Sequence, residues 1–171
     1  MRVNPSLRTI RSAVVLATLT SALAFGSAAA AGPVKTPNAA NQIVWDAGVL
    51  CAFEVVWDIP AVGSTMVYPV TADGDQLVRQ AGRMLTTVTN SASGASIDLK
   101  GGMKLDLVFH ADGSLDAHIS GTILAGYFPT DVGGPSMWFY RGHLHDVLMA
   151  DFTAVGHSFS GHATDLCAAL S

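Results

Sequence analysis

An all-β, antiparallel domain closed as an up-and-down barrel of about eight strands is the fold the sequence predicts, with a β-sandwich as the alternative. Three observations carry that expectation. Apolar and polar residues alternate with period two through the middle of the chain, turn signals recur at short intervals, and two cysteines stand near the ends of the mature chain, at Cys51 and Cys167.

The first segment lies outside the fold. Arg2, Arg8 and Arg11 form a basic start, Ala13 to Phe25 is apolar, and Gly26 to Ala31 is a run of small residues. This is the layout of a secretory signal peptide over residues 1–31, and the apolar run is too short to span a bilayer. Residues 32–44, with Pro33, Pro37, Asn38 and Asn41, show no periodicity and read as a flexible leader. The remaining residues, 45–171, are expected to form a single β-barrel domain, secreted to an extracellular setting and not inserted in a membrane once the signal is cleaved.

Taken in order, strand signal begins at Cys51–Asp58, where Cys51, Phe53, Val55 and Trp57 share one face, and stops at Pro60 and Gly63. Thr65–Val70 is a second short strand ended by Asp73-Gly74-Asp75. Gln76–Ala81 and Arg83–Asn90 follow, parted by Gly82, and Asn90 to Gly94 is a turn by composition. Ile97 and Leu99, then Met103, Leu105, Leu107 and Phe109, oppose Asp98, Lys100, Lys104, Asp106 and His110. The Gly101-Gly102 pair between them marks a bulge or corner. Asp112-Gly113 turns the chain into Leu115, Ala117, Ile119, Gly121 and Ile123, which oppose Asp116, His118, Ser120 and Thr122. A long loop spans Phe128 to Pro135. The apolar row then moves to even positions, Trp138, Tyr140, Gly142 and Leu144, leaving Arg141, His143 and His145 on the wet face. Phe152–Cys167 is the last strand region, and a short turn of helix is expected over Leu166–Leu170 with Asp165 as its cap.

Export places both cysteines where thiols pair, so a Cys51–Cys167 disulfide is expected. It would close a loop over most of the mature chain, with a chain-entropy value of roughly 4 to 5 kcal/mol. In an even-stranded up-and-down barrel the first and last strands are antiparallel neighbours, which would bring these cysteines together.

Several short segments recur in a known order: Cys51-Ala52-Phe53, Thr89-Asn90, Asp112-Gly113-Ser114, Phe128-Pro129-Thr130-Asp131 with Gly134-Pro135, Tyr140-Arg141-Gly142, and Gly161-His162-Ala163-Thr164-Asp165-Leu166-Cys167. Over nearly the whole mature domain the chain resembles a family of small secreted actinobacterial proteins of unknown function. The resemblance implies export and a β domain of similar length, and brings no activity or ligand with it.

Composition limits the partners. The mature chain carries a net charge of −7 (six basic residues against thirteen acidic ones), and Lys35, Arg79, Arg83, Lys100, Lys104 and Arg141 are scattered. Nucleic acid, which needs clustered cations, is therefore not an expected partner. A small apolar ligand is the expected occupant if the barrel is hollow; a filled interior would point instead to a surface partner, with Tyr127, Phe128 and Val132 as the apolar patch. No cofactor is expected, and the inward rows are expected to carry no ionisable residue.

Catalytic chemistry finds little support. Ser158, Ser160, His157, His162 and Asp165 lie close in sequence, but no Gly-x-Ser-x-Gly elbow is present, so no catalytic residues are expected and the chain reads as a binding protein rather than an enzyme. Metal ligation is the weaker alternative. His143 and His145 point the same way on a strand and His118 sits on a neighbour, so His118, His143 and His145 are the candidate ligands, with Asp116 or Asp146 adding a carboxylate. An enzyme built on them requires at least three histidines to converge.

Overall fold

A computed structural model describes residues 32–171; the expected signal peptide over residues 1–31 lies outside the described residues. The domain is all-β and antiparallel. Its strands are β1 (Val34–Pro37), β2 (Asn41–Trp45), β3 (Val55–Ile59), β4 (Ser64–Val67), β5 (Gln76–Asn90), β6 (Ser96–Phe109), β7 (Leu115–Tyr127), β8 (Ser136–Leu148) and β9 (Ala154–Asp165). One short helix follows, α1 (Leu166–Ala169), and Asp165 caps it by accepting the Ala168 N–H, as the sequence predicts.

Strands β5 to β9 form a meander in which each pairs with the next. Strand β5 organises the other edge: Val78–Ala81 pairs with β4 and Thr87–Asn90 pairs with β3, while β1 and β2 extend those two short strands outward. Four details differ from the sequence expectation. The described residues contain nine strands, because Asn41–Trp45 and Val34–Pro37 are strands rather than a flexible leader. Gly82 does not divide β5, which runs unbroken through it. Cys51 lies in a bend before β3, not on a strand. The sheet is also open, since β9 is bonded only to β8 and not to the first strands.

The disulfide does form between Cys51 and Cys167, spanning 116 residues of sequence. Without a closing strand pair, it does a different job. It ties the loop ahead of β3 to α1, and Leu50, Leu166 and Leu170 are buried together beside it. Asn90 adds to this junction by donating to the Leu170 carbonyl at 2.9 Å while its own oxygen accepts the Ala92 N–H.

A line of glycines crosses the long strands. Gly82 faces Met103, Met103 faces Gly121, Gly121 faces Gly142, and Gly142 faces Gly161. All four glycines have positive φ, and a Cβ at Gly142 would run into the Ser160 carbonyl oxygen. Only glycine tolerates that backbone, so the row creases five strands in one place. The Gly101-Gly102 pair, expected to mark a bulge or corner, lies beside this crease within an unbroken β6 whose register against β5 does not shift. Most of the core divides along it. Val88, Leu99, Leu124, Met137 and Phe139 lie on one side with the disulfide junction, and Val78, Leu107, Leu115, Leu144 and Leu148 lie on the other.

Candidate functional site

Strand alternation builds two Asp–His pairs on opposite faces of the same sheet. His145 and Asp146 are consecutive on β8, so their side chains leave opposite faces. His145 joins the outer face with Asp116 and His118 of β7. Asp146 continues the even-numbered apolar row and enters the interior.

The inner pair lies against a cavity of about 180 Å³. Its walls include Trp57, Met103, Leu105, Ile119 and Ile123, and Tyr127 and Asp146 form a polar end. Asp146 is 8 % exposed and Tyr127 5 %. The Tyr127 hydroxyl donates to Asp146 at 3.1 Å, and His157 Nδ1 sits 2.7 Å from Asp146 Oδ1 and 2.9 Å from the tyrosine oxygen. His157 is the cross-strand partner of Asp146 on the edge strand β9 and keeps part of its ring in solvent. Burial raises the Asp146 carboxyl above the usual carboxylate range, with the His157 and Tyr127 hydrogen bonds opposing the rise. Burial likewise raises the Tyr127 hydroxyl, assisted by the nearby Asp146 charge.

Two further groups shape this interior. Asp131 is buried and accepts the N–H groups of Phe128 and Ala154 at 2.6 and 2.9 Å, which anchors the long loop to the start of β9. Trp57 is 7 % exposed, and its indole N–H finds no protein acceptor although the residue lines the cavity. A buried donor without a partner is uncommon in a folded chain.

On the outer face, His145 Nε2 lies 2.8 Å from Asp116 Oδ1, and His110 Nε2 lies 2.9 Å from Asp116 Oδ2. His110 is held in turn by Asp75 at 3.2 Å. Hydrogen bonds from His110 and His145 lower the Asp116 carboxyl below its usual range, and the Asp116 and Asp75 bonds raise the His110 imidazole. His118 and His145 are cross-strand partners with rings stacked 4.2 Å apart.

Of the metal candidates read from sequence, the fold brings His118 and His145 together with Asp116 and leaves His143 aside, its Nδ1 3.2 Å from Ser120 Oγ. His157 belongs to the inner pair, and the ligand-distance group among the described residues holds two histidines, His118 and His145, with Asp116. Ser158 and Ser160 line the outer groove while Asp165 caps α1, and no triad assembles from them. The expected apolar patch also fails as a unit: Tyr127 and Phe128 are buried and only Val132 is exposed.

The interior row is not free of ionisable groups, which corrects the sequence expectation. Counting on by two from Leu144 reaches Asp146, and from Ile123 reaches Tyr127. That count was the available signal for both residues. His157 had none, because its partner is fixed only by the β8–β9 register.

No protein-family model, curated protein or solved structure matches the chain. Among the described residues, no helix is long and apolar enough to cross a membrane.

Proposed function

We propose that the chain is an exported, disulfide-tied binding protein whose curved sheet acts as an incomplete barrel around a small, mainly apolar ligand. The cavity carries this reading: an apolar chamber of about 180 Å³ with Tyr127 and Asp146 at a polar end and the unpartnered Trp57 donor in its wall. Its size matches a small ring or a short branched chain, since a dry cavity of about 150 Å³ accepts benzene. The polar end suits a ligand whose head donates a hydrogen bond. Export is supported by the disulfide and by the signal-like sequence. Tyr127, Asp146 and His157 bond to one another, which fixes the polar groups that would orient a ligand.

Native mass spectrometry of the protein recovered from culture medium, before and after organic extraction, tests the proposal. The expected result is a removable mass, or, for an empty protein, quenching of tryptophan fluorescence by benzylamine that weakens at least tenfold in Asp146→Asn. Absence of any bound mass together with no response to benzylamine or toluene would sink it.

A further inference from the structure

The outer face carries a second arrangement that the cavity does not use. Asp116 and His118 are two residues apart on β7, so their side chains stand on one face, and His145 is the cross-strand partner of His118 on β8. One donor atom from each of the three lies within 4.8 Å of the others. That spacing can be drawn onto a common centre at about 2.0 to 2.2 Å, the bond length of zinc to imidazole nitrogen and carboxylate oxygen.

The geometry points to a divalent transition-metal site of the zinc class formed by Asp116, His118 and His145. Two strands supply the donors, and backbone pairing on both sides of β7 and β8 fixes where they start from. Support behind the carboxylate is already in place, because His110 holds the other Asp116 oxygen and Asp75 holds His110. Partners of this kind orient a metal-binding carboxylate. His118 makes no hydrogen bond among the described residues and its ring lies nearly parallel on that of His145, so shared ligation requires one of the two solvent-facing rings to turn out of the stack. The nitrogens of His118 are unengaged and open to solvent, which leaves them free to take up an ion.

Three protein donors leave a fourth position. Both histidines also line a groove of about 380 Å³, together with Ser120, His143, Ser158 and Ser160. Water or a small oxygen-bearing ligand would complete a tetrahedral shell. The nitrogen and oxygen donor set suits zinc, and cobalt can stand in as a spectroscopic probe.

The test uses purified protein stripped with chelator and titrated with Zn²⁺ by calorimetry, then with Co²⁺ by visible absorption. One Zn²⁺ per chain with a dissociation constant at or below about 1 μM is expected, together with a four-coordinate Co²⁺ spectrum. His118→Gln and His145→Gln should each weaken Zn²⁺ binding at least tenfold. Both positions face solvent, and circular dichroism confirms that the variants fold. His143→Gln and His157→Gln should leave affinity and stoichiometry unchanged. No binding by the wild-type chain overturns the assignment, as does binding that survives both ligand variants. Loss of binding in His143→Gln would overturn the assigned ligand set. Should a ligand variant fail to fold, the wild-type Co²⁺ spectrum decides: an octahedral, water-like spectrum rejects the site.

Discussion

Asp116–His145 and Asp146–His157 are the same chemical pair placed in two environments, and the chain separates them by one residue of β8. Their contact distances are 2.8 and 2.7 Å, so geometry does not distinguish them. Surroundings do. On the outer face, histidine hydrogen bonds dominate and stabilise the Asp116 carboxylate. In the interior, the cost of taking charge from water dominates and favours the neutral Asp146 carboxyl. A short Asp–His distance therefore says little about charge until burial is known.

The largest expected effect concerns the frame that carries both pairs. Replacing both Cys51 and Cys167 with serine removes a 116-residue constraint and should destabilise the protein by about 5 kcal/mol in the chain-entropy treatment. Because both pairs share β8, they should be lost together. Denaturant unfolding followed by the His145 and His157 proton resonances checks this. Separate midpoints for the two histidines would show that the faces belong to different cooperative units.

Next in size is the contrast between the carboxylates themselves. Asp146→Ala deprives the buried Tyr127 hydroxyl and His157 of their shared acceptor and should cost about 2 kcal/mol. Asp116→Ala, on the solvent face and in chelator-treated buffer, should cost under about 1 kcal/mol. Equal losses in urea denaturation would remove the distinction between a buried pair and an exposed one.

The outer half of that contrast is legible in the sequence and the inner half is not. Period-two alternation put His143 and His145 on the wet face, identified Leu115, Ala117 and Ile119 as interior, and exposed Asp165 as a helix cap. The disulfide follows from two cysteines in a chain whose first segment reads as a signal peptide. What stayed hidden depends on register. Strand β1 is exposed at every residue, so it has no apolar row to announce it. The glycine crease is invisible along the chain because its members come from four strands and align only once the strands are paired. Ring closure was inferred from the disulfide, but a crosslink between a loop and a helix satisfies the same covalent fact. The inner Asp–His pair is hidden because Asp146 interrupts the apolar row after Leu144 and its partner His157 is set only by the β8–β9 register.

The two carboxyls should also respond to pH in opposite directions. Asp146 has a raised value in the folded chain, so its contribution to stability is fully present below 3.8 and is lost as pH climbs through the folded value. Asp116 has a lowered value, so its contribution is present above 3.8 and is lost as pH falls through the folded value. Measured from about pH 2 to about pH 6, Asp146→Asn should gain on the wild type as pH rises, and Asp116→Asn should lose ground. Slopes of the same sign would place both carboxyls in one kind of environment.

The smallest effect is the coupling within the outer pair. The side chains of His145 and Asp116 are 38 % and 29 % exposed, where solvent screens the attraction and ordering two side chains offsets part of it. A double-mutant cycle with Asp116→Asn and His145→Gln in metal-free buffer should return about 0.5 kcal/mol or less. The same cycle with Asp146→Asn and His157→Gln should return more, because one partner is buried. Adding Zn²⁺ then separates stability from binding. If Asp116 and His145 ligate one ion, the metal raises their coupling well above the metal-free value, since each single substitution already breaks the shared site. The inner cycle should not move. An outer cycle indifferent to zinc would leave the pair as an ordinary surface contact.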